Sequence, residues 1–248
     1  MSRALSLVFA IVCYAVFFAT FLYLIAFVGN FPVQRTVDAP PSSFAPVVAA
    51  IIDVALIALF GLQHSITARP AFKRAWTRIV PPNLERSVYV LTASVALLIL
   101  FSLWQPIGGD IWTVSANMGW LSDMLWAMFW AGFGIVLVST FLINHFELFG
   151  LQQAWLNLSG RKAETPELRQ PLFYRWVAHP LYAGFFLAFW STPHMTVGHV
   201  LLALALSIYM LIAIRYEEHD LADIFGDDYR RYRSGVGMLV PRFRRRSA

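Results

Sequence analysis

The stretch VAHPLYAGFF, residues 177 to 186, places His179 and Pro180 at the mouth of a long apolar run. Proline at the first helical position costs no backbone hydrogen bond, so this pair predicts the start of a helix. The unpaired N–H groups and partial positive charge of such a helix end can bind a carboxylate or a phosphate. Tyr182 would flank that site, and Gly184 would let another helix or a ligand approach the backbone. Taken alone, the pattern is weak, because His-Pro at a helix start is more often an ordinary helix cap.

The composition is that of a membrane protein. Hydrophobic residues make up 58% of the 248 residues and charged residues only 13%, far from the average of soluble domains. A crossing needs about 20 apolar residues, and we predict an all-α polytopic transmembrane bundle of five to six spans in one domain, 1–248. The predicted spans are 4–28, 44–66, 87–104, 119–143, 179–193 and 197–214, followed by a tail at 215–248. With the sequence STPH at 191–194 as its turn, the short fifth stretch forms either a tight hairpin with the sixth or a re-entrant pair with it.

Charge gives the predicted orientation. Of the 19 Lys and Arg residues, only Arg35 falls in a predicted outer loop, and basic residues near membrane ends are retained in the cytoplasm. Both termini are therefore predicted to be cytoplasmic. The net charge of +5 requires no nucleic-acid partner, because a basic rim against anionic membrane lipid accounts for it. Cys13 is the only cysteine, which excludes an internal disulfide and a cysteine-built metal site; no metal site is predicted.

A second polar segment, RYEEHD at 215–220, follows the last apolar stretch. Adjacent residues on a helix point about 100° apart, so one of Glu217 and Glu218 can face a pocket while the other pairs with an arginine. A carboxylate is the usual acceptor for ribose hydroxyls, and Arg215 could clamp an anionic group. A solvated helix end is the alternative. Further on, the pattern predicts a cytoplasmic helix, a turn at Gly226 and a second short helix on the membrane face.

These two segments together resemble the isoprenylcysteine carboxyl methyltransferase family of integral membrane methyltransferases. The shared residues are His179, Pro180, Tyr182, Gly184, Glu217, Glu218, Phe225, Gly226, Tyr229, Tyr232, Val240, Pro241, Arg242 and Phe243. The resemblance covers about the last 70 residues and implies that S-adenosylmethionine (SAM) is held at the cytoplasmic face. The implied cofactor-binding residues are His179, Pro180, Tyr182, Gly184, Arg215, Tyr216, Glu217 and Glu218.

The upstream half carries a second resemblance. The segments FGLQHSITARPAFKR (60–74), PPNLERSVYVLTASVALLILFSLWQPIG (81–108) and NHFELFGLQQAW (144–155) look like the bacterial methanethiol S-methyltransferases. This resemblance implies methylation of methanethiol to dimethyl sulfide in the bacterial inner membrane. A methyltransferase for a larger or lipid-borne thiol or carboxylate is the alternative, and it would need a lateral opening between helices.

A thiol is a poor nucleophile until it is deprotonated, and a neutral histidine is the natural base at neutral pH. Two candidates lie at predicted cytoplasmic span ends, His64 and His145, with Glu85 or Glu147 to orient the imidazole. Each histidine could instead cap a helix end. The residues predicted to line the thiol pocket are Gln63, Arg86, Tyr89 and Asn144.

Several histidines near membrane helices raise one non-enzymatic alternative, a haem-binding subunit. Paired axial histidines lie inside facing helices at matched depth, and His64, His145 and His179 all fall at predicted boundaries. We therefore expect an enzyme whose partners are a small thiol and membrane lipid, with no obligatory protein partner.

Overall fold

The computed structural model describes residues 2–162 and 168–242. Phe243 of the closing motif and the basic residues 244–246 lie outside the described residues. The described part of the chain contains ten α-helices and two short strands. The helices are α1 (Arg3–Val28), α2 (Pro46–Ala68), α3 (Pro70–Trp76), α4 (Glu85–Leu103), α5 (Gly119–Ile143), α6 (His145–Leu148), α7 (Leu151–Ser159), α8 (Pro180–Trp190), α9 (Val197–Phe225) and α10 (Asp227–Gly235); the strands are β1 (Asp110–Thr113) and β2 (His194–Thr196).

Five of these helices, α1, α2, α4, α5 and α9, are long and apolar enough to cross a membrane, while α8 is apolar but shorter. This architecture confirms the predicted all-α membrane bundle. Since lipid offers no hydrogen bonds, long apolar segments satisfy their backbone only as helices. Their side chains face lipid on one side and a shared aromatic core on the other, in which Phe27 packs on Phe101 and Trp104.

Two ends of the bundle are defined by contacts between helices. Phe27 meets Phe101 near the last turns of α1 and α4, so these two helices run in the same direction. The carboxylate of Asp53 near the start of α2 accepts a hydrogen bond from the Gln105 backbone just past the end of α4, at 2.8 Å, so α2 runs opposite to α4. We call the end where α1 and α4 begin the site end, and the other the sheet end.

The segment between α8 and α9 differs from the prediction. A helix over 179–193 with a turn at 191–194 is wrong, because α8 ends at Trp190 and His194 opens β2, which pairs antiparallel with β1. Helix α8 is about 16 Å long, whereas the 22 residues of α9 from Val197 to Glu218 span about 32 Å. Extended residues at about 3.3 Å each make up the difference. The chain therefore passes from one end of the bundle to the other between 179 and 196.

Helices α5 and α8 are in close contact through two glycines. A Cβ atom on Gly132 would lie 2.6 Å from the carbonyl oxygen of Gly184, and one on Gly184 would lie 2.6 Å from that of Gly132. Small residues let helix backbones approach closely where no water drives association. Of the two roles expected for Gly184, approach of another helix is the one observed.

The C-terminal segment folds back over the site end. Helix α9 runs without interruption from the membrane span to Phe225, so the predicted cytoplasmic helix is the continuation of the last span. The turn at Gly226 has φ 57°, a conformation that favours glycine. Helix α10 follows it, and the chain beyond pairs with the entry to α8 through a parallel bridge between Val177 and Gly237.

Candidate functional site

His179 lies where α8 begins and joins the two segments singled out in the sequence. It is the N-cap residue of α8, with Pro180 in the first turn, and it is 4% exposed. Its Nε2 lies 3.1 Å from Oε1 of Glu218, and its Nδ1 lies 3.9 Å from Oε2 of Glu217. The ring of Tyr182, one turn along α8, meets the imidazole edge to face at 5.7 Å. The two polar segments therefore form one cluster at the site end.

The arginine that pairs with this cluster comes from α10. The Nε of Arg233 donates to the same Oε1 of Glu218 that faces His179, and its Nη1 donates to the carbonyl of Val236 at 3.3 Å. Arg215, which was predicted to clamp an anionic group, is exposed. Glu218 thus combines the two roles that were predicted for separate carboxylates: it pairs with an arginine and it lines a cleft.

Backbone contacts fix α10 and the residues after it against the entry to α8. The backbone N–H of Ala178 donates to Gly237 at 2.8 Å, and that of His179 donates to Met238 at 3.1 Å. The Tyr232 hydroxyl donates to the carbonyl of Tyr174 at 2.8 Å. Burial raises the pKa of Tyr232 to about 12, so this hydroxyl stays protonated as a donor at neutral pH.

A cleft of about 480 Å³ opens beside Glu218. Its walls are formed by Glu218, Ala222, Tyr229, Arg230, Arg233, Ser234 and Arg242. Tyr229 is 3% exposed, and its hydroxyl has no hydrogen-bond partner among the described residues. Burial, followed by the negative charges of Glu218 and Glu217, raises the pKa of Tyr229. A buried hydroxyl without a partner is costly in a folded protein, so the cleft carries a donor that a ligand could satisfy.

One predicted cofactor residue, Tyr216, does not line this cleft. Tyr216 is 56% exposed, and the guanidinium of Arg69 lies over its ring at 5.1 Å. Arg69 also forms an ion pair with Asp220 at 3.1 Å. Tyr216 therefore belongs to the contact between α2 and α9 and not to the cleft.

His64 lies deeper in the bundle than the cleft. The hydroxyl of Tyr89 lies 2.9 Å from its Nε2 and 3.2 Å from its Nδ1, and Phe60 stacks on its ring at 5.4 Å. Tyr209 of α9 packs against Phe60. Tyr209 precedes Glu217 by eight residues, about 12 Å along the helix. Tyr182, whose ring meets His179, packs against the same hydrophobic core as Phe60 and Tyr209, and so links the carboxylate cluster to the surroundings of His64.

His145 has a different environment, enclosed by groups from α1 and α5. The Tyr14 hydroxyl lies 2.8 Å from Nε2 and that of Thr140 lies 2.8 Å from Nδ1. Because Thr140 donates its own proton to the carbonyl of Leu137, it accepts from Nδ1–H of His145, and Tyr14 donates to Nε2. Both ring nitrogens are therefore occupied. Burial lowers the pKa of His145.

Hydroxyl groups, not carboxylates, hold both imidazoles. Within the described residues, neither Glu85 nor Glu147 is hydrogen-bonded to a histidine ring; Glu147 instead accepts from Asn144 at 2.8 Å. The side chain of Gln63 donates to Thr92 at 3.0 Å.

Arg86 holds its guanidinium 5.7 Å from the centre of the Tyr89 ring. Gln63, Arg86 and Tyr89 thus lie in the neighbourhood of His64, whereas Asn144 lies in that of His145.

Sequence reasoning missed the cleft residues of α10. Tyr229 was recognised only as a motif position, and Arg233 and Ser234 were not singled out for the site. A signal was present in the spacing, because Tyr229 and Arg233 are four residues apart on one helix face. Their arrival beside Glu218 depends on the reversal at Gly226.

The fold and this site define an integral membrane protein with a polar ligand cleft at one end of a helical bundle. Comparison with known proteins gives the family. A methanethiol S-methyltransferase of Mycobacterium tuberculosis is 47% identical, covering 97% of this chain and 98% of its own. That of Pseudomonas deceptionensis is 49% identical over 88% of this chain and 82% of its own. Nurim of Xenopus laevis is 29% identical over 69% of this chain and 62% of its own.

The chain belongs to the methanethiol S-methyltransferase family, and it is a methyltransferase. No family model matches it, and no solved structure matches it significantly.

Proposed function

We propose that this protein transfers the methyl group of SAM to methanethiol at the cytoplasmic face of the bacterial inner membrane, giving dimethyl sulfide. The observation that supports it most is the junction of the two polar segments, where Nε2 of His179 lies 3.1 Å from Oε1 of Glu218 beside a cleft of about 480 Å³. Cofactor sites commonly have volumes of about 300–1,000 Å³.

The residues of the cleft fit SAM. The Glu218 carboxylate can accept hydrogen bonds from ribose hydroxyls, and Arg242 can pair with the carboxylate of the methionyl part. The buried Tyr229 hydroxyl, which has no partner among the described residues, would donate to an acceptor on the ligand. Glu218, Tyr229, Ser234 and Arg242 would thus hold the cofactor, with His179 and Arg233 fixing Glu218 in position.

When bound, SAM supplies an electrophilic methyl group on a sulfonium. The thiol must lose its proton as its sulfur forms the new bond to the methyl carbon and the sulfonium carbon–sulfur bond breaks. His64 would take that proton. The single Tyr89 hydroxyl can serve only one ring nitrogen of His64 at a time, which leaves the other nitrogen able to act as a base. His145 has no such vacancy, because Tyr14 and Thr140 occupy both of its nitrogens.

Tyr89 and Arg86 act on His64 rather than on the thiol. When the Tyr89 hydroxyl accepts a hydrogen bond from the N–H of His64, the other ring nitrogen carries no proton. That nitrogen can then accept the proton of the thiol. Arg86 over the Tyr89 ring would hold that ring in place. Tyr182, whose ring lies beside His179 and which packs against the same hydrophobic core as Tyr209, would line the route from the carboxylate cluster to the drier surroundings of His64, where a thiolate is more reactive.

The cytoplasmic orientation rests on charge. Basic residues gather at the site end in α3, α10 and the loop before α4, while Arg35 lies at the sheet end, where it donates to the carbonyl of Trp104 at 3.2 Å. Because basic segments are retained on the cytoplasmic side, this distribution supports a cleft that faces the cytoplasm, where SAM is available.

The test is headspace gas chromatography of detergent-purified protein incubated with SAM and methanethiol, with SAM binding measured separately by calorimetry. Dimethyl sulfide above a control without enzyme is the expected result. SAM binding without dimethyl sulfide would overturn the acceptor and favour a larger or lipid-borne one. Absence of SAM binding would overturn the cofactor assignment.

A further inference from the structure

Helices α2 and α9 touch along one continuous line from mid-bundle to the site end. We call this line the α2–α9 seam; it consists of Gly61, Ser65 and the C-cap residue Arg69 of α2, and of Tyr209, Tyr216 and Asp220 on α9. The three α2 positions are four residues apart, so they form a single ridge on the helix surface. The seam therefore borders the level at which His64 lies.

The inner part of the seam is filled by an aromatic ring that packs on a glycine. A Cβ atom on Gly61 would lie 3.0 Å from Cδ2 and 3.2 Å from Cε2 of Tyr209, so the ring rests directly against the α2 backbone. The Ser65 hydroxyl donates to the Tyr209 hydroxyl at 3.3 Å. Any other residue at 61 would hold this ring further out.

The same ring belongs to the wall around His64. Tyr209 meets Phe60 edge to face at 6.0 Å, and Phe60 stacks on His64 at 5.4 Å. On the far side of His64 lies the Tyr89 ring, at 5.1 Å. Helices α9, α2 and α4 thus contribute one unbroken row of rings beside the proposed base.

The outer part of the seam is closed by charge. Arg69 pairs with Asp220 at 3.1 Å and lies over the Tyr216 ring at 5.1 Å. An ion pair and a cation–π contact from one guanidinium hold the two helices together at the membrane boundary. The seam from Gly61 to Arg69 is thus bridged by a ring packed on a glycine, by a hydroxyl contact and by an ion pair.

We infer that Tyr209, seated on Gly61, closes the α2–α9 seam and thereby restricts the methyl acceptor to short thiols. This inference rests on the proposed function, since it assumes that the thiol is deprotonated at His64. A methyl acceptor with a long apolar chain must pass that chain between two helices into the lipid while its sulfur reaches His64. Methanethiol has no chain to accommodate, so a sealed seam excludes its longer relatives without obstructing it.

The experiment compares wild-type protein with Tyr209→Ala and its matched control Tyr209→Phe, which keeps the ring and loses only the contact with Ser65. The kcat/KM for 1-hexanethiol is divided by that for methanethiol for each protein. Loss of the ring should raise this ratio at least about tenfold, because each methylene that a pocket accepts or rejects is worth about 10- to 200-fold. The Tyr209→Phe variant should keep the wild-type ratio.

A second readout does not depend on turnover. In the absence of SAM, 1-hexanethiol should raise the Tm of Tyr209→Ala but leave that of the wild type and of Tyr209→Phe unchanged, since only an open seam admits the chain. If Tyr209→Ala does not fold, Tyr209→Leu serves in both assays, because it keeps an apolar side chain without the ring.

An unchanged ratio and no Tm shift in a folded Ala or Leu variant would overturn the inference. So would a wild-type protein that methylates 1-hexanethiol as well as methanethiol. If the wild type methylates neither thiol although it binds SAM, the proposed function fails, and the Tm measurement still decides whether Tyr209 closes the seam.

Discussion

Oε1 of Glu218 lies 3.1 Å from the imidazole of His179 and also accepts from the guanidinium of Arg233. Three elements, α8, α9 and α10, therefore share one carboxylate oxygen, while the second oxygen of Glu218 has no recorded protein partner in the described part of the chain. A carboxylate fixed from two sides with one oxygen left over is preorganised to accept hydrogen bonds from a ligand, because its own position costs nothing further on binding.

The Glu218→Gln substitution tests this relationship. The loss of a charged acceptor should weaken SAM binding about 10- to 100-fold, measured as Kd by calorimetry. The matched control is Asp223→Asn, which removes an exposed acid of the same helix whose recorded contact is with His219 at 3.6 Å. Equal affinities of both variants and the wild type would contradict the cofactor role of Glu218.

Tyr229 and Tyr232 offer a paired test of what a hydroxyl does at this site. Tyr229→Phe should keep or raise thermal stability, since that buried hydroxyl bonds to no described group, and weaken SAM binding about 3- to 10-fold. Tyr232→Phe should instead cost about 1 kcal/mol of stability, because it removes the donor to the carbonyl of Tyr174. Loss of stability in Tyr229→Phe with unchanged SAM affinity would show that its hydroxyl is structural.

Substitutions of His64 and His145 should affect different properties, turnover in the first case and thermal stability in the second. His64→Gln should lower turnover about 100- to 10,000-fold, as expected for a general base, while SAM binding persists. His145→Gln should keep most of the turnover and lower the Tm, because it breaks contacts with Tyr14 and Thr140. Full turnover of His64→Gln across pH 6 to 9 would remove it from the mechanism.

Much of this arrangement was readable in the sequence, and the remainder depended on contacts between distant residues. The apolar stretch at 119–143 coincides with α5, because length and hydrophobicity alone decide a membrane helix. The end of α8 could not be predicted, since β2 forms only by pairing with β1, which precedes it by more than 80 residues. The sequence likewise predicted an arginine partner for one of the two carboxylates without naming it, because the turn at Gly226 delivers Arg233 from the next helix.

The pH dependence of stability should carry a contribution from His145. Burial lowers the pKa of this residue below its ordinary value of 6.5, so at mildly acidic pH the unfolded chain binds a proton that the folded protein does not. Stability is therefore complete above about pH 6.5 and is lost as the pH falls through that value toward the lower folded pKa. Thermal unfolding at pH 7.5, 6.5 and 5.5 should show a decline that is shallower in His145→Gln.

The control for this titration is His219→Gln on α9. The side chain of His219 is 75% exposed, so the variant should follow the pH dependence of the wild type. A His145→Gln protein whose Tm falls with pH as steeply as that of the wild type would mean that other groups account for the acid sensitivity.

The contact between α5 and α8 should tolerate no added methyl group. In Gly132→Ala or Gly184→Ala, the new Cβ would lie 2.6 Å from a carbonyl oxygen of the opposite helix, so the helices must separate, at a cost of about 1–3 kcal/mol. Gly134→Ala is the matched control on α5, because nothing lies within 4 Å of its Cβ position. Alanine has the higher helix propensity, so this variant should match or exceed the wild-type Tm. Since His179 caps the helix that would move, SAM affinity should fall in Gly184→Ala together with the Tm, and a lower Tm at unchanged affinity would show that the cleft does not depend on the position of α8.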